Sequence, residues 1–160
     1  MSHPEPAHAM FTIVRSYKSP PPKVFAAWST AQGKAAWFAG GEGWTEQVRE
    51  FDFRVGGQDR LVGKWKNEFT SDYRATYHDI APDQRIVTAY DMRLDGKLIS
   101  VSLATVTFEA EGTGTRLTMV EQAVFLDGYE DNGSREQGTK GLLDRLGAYL
   151  EGRAMESFRP

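Results

Sequence analysis

The sequence predicts an α+β domain: a curved antiparallel sheet of about six or seven strands wrapped around one long C-terminal helix, with two short helices after the first strand. Three observations predict it. Segments at roughly 45–55, 58–66, 69–80, 84–94, 97–109 and 115–126 alternate apolar and polar residues with no convincing helix between them. Asp95-Gly96 sits between two such runs, the strongest short-range hairpin signal. Leu142, Leu143, Leu146, Tyr149 and Leu150 form one apolar stripe, as a helix of about four turns laid on the sheet requires.

The elements follow in order. Residues 1 to 9 are polar and proline-containing and are expected to form a mobile tail, so that one domain spans 10–156. Residues 10–18 alternate as a first strand. Ser19 before three prolines predicts a helix start, with Ser19 as N-cap and the prolines where a missing N–H costs least. Val24, Phe25 and Trp28 share the inner face of that helix. A second short helix runs from Thr30, near its cap, to Trp37-Phe38, with glycines closing it. "FRVGG" at 53–57 reads as the turn between two strands.

The Asp95-Gly96 turn implies a two-residue loop, pairing Leu94 with Lys97, Met92 with Ile99, Tyr90 with Val101 and Thr88 with Leu103. Arg85, Asp91 and Arg93 mark the opposite face as solvated, so Tyr90, Met92, Ile99, Val101 and Leu103 are expected to point inward. Val106 and Phe108 have the opposite parity. One extra residue flips the face, so a bulge is expected near Ala104 or Thr105. After the loop "GYEDNGS", Ser134 and Gln137 form a capping-box pattern at the start of the final helix. Gly138 and Gly141 cost a helix about 1 kcal/mol each relative to alanine, which predicts a close approach to the backbone there.

Composition bounds the chemistry. A chain of 160 residues makes one domain, and a net charge of −3 shows no basic excess for a nucleic-acid partner. There is no cysteine, hence no disulfide framework and no thiolate metal site. No apolar run approaches membrane-spanning length, so no membrane insertion is expected and a cytoplasmic location is the plain reading. HExxH, clustered histidines, a phosphate loop, a GxSxG elbow and EF-hand spacing are all missing; no metal and no cofactor are expected.

Several stretches carry a resemblance. They are Arg15 with "SPPPKVFAAWS", the Trp37-Phe38 pair, "FRVGG", "YHDIAPDQRIV" at 77–87, "ISVSLATVTF" at 99–108 and "GTRLTMVEQAVFLDGYEDNGSREQGT" at 114–139. In this order they resemble the helix-grip fold of the START-like (SRPBCC) superfamily. Within it they are similar to the activator of heat-shock-protein-90 ATPase homologues in their small stand-alone form. The resemblance spans nearly the whole folded chain and implies an elongated apolar cavity between sheet and C-terminal helix. It does not imply one chemistry, since relatives include ligand carriers, receptors, cyclase and aromatase enzymes and chaperone activators.

One residue breaks the pattern. In the last strand Leu117, Met119, Glu121, Ala123 and Phe125 share a face that is apolar except for its central carboxylate. Glu121 is a cavity handle for a ligand or half of a buried pair with Arg15, Arg74 or Arg135; a lone buried charge is too costly to stay unpaired. Tyr90 and Tyr77 offer hydroxyls, and Trp37, Trp65 and Phe69, together with Trp28, are placed at the cavity mouth. Met119, Leu142 and Leu146 complete the expected ligand-binding set. His78 falls on a solvated edge, and His3 and His8 in the tail.

Three readings of function stand at this point. The first is a binder of a small apolar or aromatic molecule. The second is a cyclase- or aromatase-like enzyme with Glu121 as acid or base. The third is an accessory protein that contacts the chaperone ATPase. Oligomeric state stays open, a homodimer included.

Overall fold

The computed structural model describes residues 3–129 and 133–152. Among them the elements are β1 (Ala7–Tyr17), α1 (Pro21–Ser29), α2 (Ala31–Trp37), β2 (Trp44–Phe51), β3 (Gln58–Trp65), β4 (Phe69–Ala81), β5 (Arg85–Leu94), β6 (Lys97–Glu111), β7 (Gly114–Phe125) and α3 (Ser134–Leu150). The strands form one antiparallel sheet in the order β1-β7-β6-β5-β4-β3-β2, so β1 crosses over to pair with the last strand. The α3 stripe lies on the inner face, where Leu143, Leu146 and Leu150 are buried. Full burial of one such leucine stabilises by about 1.5–3 kcal/mol.

Local chemistry explains the ends of the elements. Thr30 closes α1 and opens α2: its hydroxyl donates to the Ala26 carbonyl at 2.8 Å and accepts the Gly33 N–H at 3.1 Å. Trp37 ties the two helices by donating its indole N–H to the Ala27 carbonyl at 2.8 Å. Ser19 is not the cap of α1. That position is taken by Pro20, without a side-chain cap, and the Ser19 carbonyl instead accepts the Thr115 hydroxyl at 2.7 Å. The Ser134 capping box is also absent: Gly133, at φ 79°, occupies the N-cap of α3 with no side-chain cap. The loop before it includes 130–132, which lie outside the described residues.

Three further expectations are corrected. The first strand begins at Ala7 rather than 10, because Ala7, His8 and Ala9 pair with Phe125, Val124 and Ala123 on β7. His8 is therefore an exposed strand residue, and His3 hydrogen-bonds Asp127 at 2.9 Å. The expected domain end at 156 lies outside the described residues.

The β5–β6 register differs by one beyond the turn. Leu94 pairs with Lys97 as expected, but Met92 pairs with Ser100, Tyr90 with Ser102 and Thr88 with Ala104. The extra residue is Ile99, which sits unpaired between the Arg93–Leu98 and Met92–Ser100 pairs. The bulge required by parity thus exists, five or so residues earlier than expected, and it turns Val101 and Leu103 outward at 42% and 40% exposure. Ser100, Ser102 and Ala104 take their place inside. The third correction concerns α3. A Cβ on Gly138 would meet nothing within 4 Å, whereas one on Gly147 would lie 3.2 Å from the Tyr17 ring.

Candidate functional site

A cavity of about 580 Å³ lies between the inner face of the sheet and the first half of α3. Strand parity builds its floor. Leu61 on β3, Tyr73 and Tyr77 on β4, Tyr90 and Met92 on β5, and Met119 and Glu121 on β7 all present inward. The N-terminal half of α3 gives the roof through Arg135, Gly138, Thr139 and Leu142, and the bare Cα of Gly138 leaves it room. One wall comes from Trp28, Lys34, Trp37 and Phe38, another from Trp44. Glu46, whose side chain is 49% exposed, also lines it, so this end meets solvent.

Two polar clusters interrupt the apolar lining. The first is buried deeply. The Lys34 ammonium donates to Asp59 Oδ2 at 2.9 Å, and the Tyr77 hydroxyl donates to the same oxygen at 2.9 Å. Three rings surround the cation: Phe38 at 4.5 Å, Trp28 at 5.5 Å and Trp37 at 5.6 Å from centroid to Nζ. The "FRVGG" turn fixes Tyr77 in place, since the Gly56 N–H donates to its carbonyl and its N–H to the Gly57 carbonyl. Burial, reinforced by the Asp59 charge, holds the Tyr77 phenol far above its ordinary pKa, so it keeps its proton.

The second cluster contains the anomalous glutamate. Glu121 is 1% exposed, and its Oε2 accepts the Tyr90 hydroxyl at 2.8 Å. Arg135 Nη1 lies 3.9 Å from the same oxygen. The guanidinium also donates to Ser100 Oγ at 2.9 Å, Tyr90 Oη at 3.1 Å and Ser102 Oγ at 3.3 Å, and it stands 5.1 Å over the Phe125 ring. Of the three arginines considered as partners, Arg15 pairs with Asp144 and Arg74 with Asp72, leaving Arg135 as the one beside Glu121. Burial raises the Tyr90 phenol above its ordinary range against the opposing pull of Arg135.

Tyr73 joins the clusters. Its ring is 4.9 Å from Phe38 on one side and 4.9 Å from Tyr90 on the other. Its phenol feels both Asp59 and Glu121, and burial keeps it well above the usual range.

Of the residues singled out from sequence, Glu121, Tyr90, Tyr77, Met119, Trp37 and Leu142 line the cavity, as does Trp28. Leu146, Trp65 and Phe69 do not. Leu146 is fully buried in the core beneath α3. Trp65 and Phe69 back the wall by packing on Trp44, at ring separations of 5.4 and 5.7 Å. The aromatic at the cavity from that end is Trp44 itself, which sequence reasoning passed over together with Lys34 and Tyr73. His78 is exposed, as expected.

A curved sheet gripping a C-terminal helix is the arrangement of the helix-grip proteins. Residues 18–151 match the family described as activator of Hsp90 ATPase homolog 1-like protein, and the chain belongs to that family. It is similar to an uncharacterized protein from Rhizobium leguminosarum, with 44% identity, a TM-score of 0.89, and 93% of this chain and 98% of that one covered. Protein Mll3558 from Rhizobium loti is 39% identical with a TM-score of 0.84, covering 90% of this chain and 98% of that one. An AHSA1-like protein from Aeromonas hydrophila, at 21% identity and a TM-score of 0.67 over 95% of this chain and 99% of that one, shares the fold. No curated protein matches. No helix among the described residues is long and apolar enough to cross a membrane.

Proposed function

We propose that the domain binds a small, mostly apolar or aromatic molecule between the sheet and α3. The observation that carries this reading is the cavity. Its volume of about 580 Å³ falls within the roughly 300–1,000 Å³ of small-molecule sites, and it has their usual construction of apolar walls with a few placed polar groups. Under this reading Glu121, Tyr90, Tyr77, Met119, Trp37 and Leu142 meet the ligand. Trp65, Phe69 and Leu146 hold the wall from behind.

The 2.8 Å contact between Tyr90 and Glu121 also favours a second reading, acid–base catalysis of the cyclase kind. It is the weaker one. A general acid works best with a pKa near the operating pH, and burial moves the Tyr90 phenol away from it. The family description names a chaperone-ATPase activator, and nothing on the described surface favours that partner over a cavity ligand.

Native mass spectrometry of the purified protein tests the proposal, with Gly138→Leu as the control that fills the roof. The expected result is a stoichiometric non-protein mass, or a melting temperature raised by small aromatic compounds, either effect lost in Gly138→Leu. A protein that retains no such mass and whose melting temperature no small aromatic compound moves would refute it.

A further inference from the structure

The Lys34 ammonium has more donors than the protein uses. An ammonium carries three N–H bonds, and among the described residues the only acceptor bonded to it is Asp59, at 2.9 Å. The rings of Phe38, Trp28 and Trp37 draw its charge but offer no lone pair. Lys34 is 5% exposed and lines the cavity, so acceptors for its remaining donors come from whatever occupies the cavity. A buried donor left without a partner is costly, and a ligand that brings an acceptor relieves that cost.

The charge balance then selects among acceptors. Asp59, 2% exposed, already neutralises Lys34, and Tyr77 donates to the same carboxylate. A ligand carboxylate at Lys34 would set a second anion beside Asp59 in a medium of low dielectric, where like charges repel strongly. The second cluster is balanced too, with Arg135 beside Glu121. A neutral oxygen such as a ketone or quinone carbonyl accepts the N–H without disturbing either pair.

From Lys34 the surface continues as aromatic rings. Phe38 contacts Tyr73 edge-on, and Tyr73 contacts Tyr90, each at 4.9 Å between centroids. Flat aromatic bodies are held by such rings in offset or edge-to-face contact. Building on the ligand-site reading above, we propose that Lys34 is the specificity-determining residue of the cavity. It receives the carbonyl oxygen of a neutral aromatic ketone or quinone, whose ring system lies along Phe38, Tyr73 and Tyr90.

Three probes of one shape test this by isothermal titration calorimetry: diphenylmethane, benzophenone and 4-benzoylbenzoate. The first lacks the acceptor, the second has it, and the third adds a carboxylate. Benzophenone is expected to bind about tenfold more tightly than diphenylmethane, the worth of one hydrogen bond to a charged donor, and more tightly than the carboxylate. Lys34→Met paired with Asp59→Asn avoids stranding a buried anion and leaves Tyr77 an acceptor. In that variant the preference for benzophenone should fall to within about twofold, with diphenylmethane affinity retained. Should the pair fail to fold, the three-probe comparison on the unaltered protein still decides. Diphenylmethane binding as tightly as benzophenone, or the carboxylate binding best, would overturn the role of Lys34 while leaving the cavity a ligand site. Binding of none of the three would overturn both.

Discussion

Replacing Glu121 with glutamine asks how the second polar cluster is held together. The substitution keeps nearly the same volume and leaves an oxygen to accept the Tyr90 hydroxyl, so what it removes is charge. Arg135 Nη1 stands 3.9 Å from Glu121 Oε2. Unit charges about 4 Å apart attract by about 4 kcal/mol at an effective dielectric near 20. Two effects reduce the net loss. The neutral amide escapes the several kcal/mol that desolvating a carboxylate costs. Arg135 also keeps 17% side-chain exposure and its hydroxyl partners on Ser100, Ser102 and Tyr90. The expected loss is therefore about 1–3 kcal/mol, below the roughly 3–5 kcal/mol of a wholly stranded partner.

The assay is urea unfolding of the ligand-free protein at neutral pH, with an unchanged slope expected and a lower midpoint. Arg135→Met should cost more, because it leaves the more deeply buried of the two charges without that cation. The double variant should recover part of the loss, a coupling of at least about 1 kcal/mol. A midpoint for Glu121→Gln equal to or above the parent's would refute this reasoning. Glu121 would then be a burden the empty protein carries for its ligand.

Three other outcomes follow from the geometry. Leu146→Ala should lower stability by about 2–5 kcal/mol, since Leu146 has no exposed surface, and equal urea midpoints would reject its place in the core. Gly138→Ala should raise stability by up to about 1 kcal/mol, because its Cβ would meet nothing within 4 Å; a lower melting temperature would show a contact at that helix face. Asp72 is raised by burial but lowered more by hydrogen bonds and charge from Arg60 and Arg74, so its folded pKa lies below the unfolded value. Its contribution is present above the ordinary carboxylate range and is lost as pH falls through the folded pKa. Asp72→Asn should thus flatten the acid limb of a stability–pH profile, and an unchanged limb would assign acid lability elsewhere.

How much of this was readable in advance depends on whether a rule acted locally. The inner face of β7 was legible because a strand buried on one side keeps a strict period of two: Leu117, Met119, Glu121, Ala123 and Phe125 are all buried. The need for a bulge was legible from conflicting parity, but its position was not. Hydrophobicity favours Val101 and Leu103 inside, whereas the fold places Ser100 and Ser102 there, where they hold Arg135. That preference depends on a side chain more than thirty residues away, on a different element. It also sets a cation in the first turn of α3, where the helix dipole disfavours one. The Lys34–Asp59 pair had a signal that went unused. Asp59 has the parity of Leu61, which lines the cavity, so it is an acid on an inner face, the same anomaly that drew attention to Glu121.

The cavity meets solvent at the Glu46 end, so water or a ligand occupies it, and either needs polar partners at fixed points. Lys34, Tyr73, Glu121 and Arg135 are placed among the rings where such partners are needed. Water held by a few polar groups between aromatic walls is poorly satisfied, and an apolar body displaces it with gain. A ligand at about 100 times its Kd would then stabilise the fold by about 2.7 kcal/mol, readable as a shift in melting temperature. On the ligand-site reading, the polar groups that partner water in the cavity are also the ones a ligand would have to satisfy.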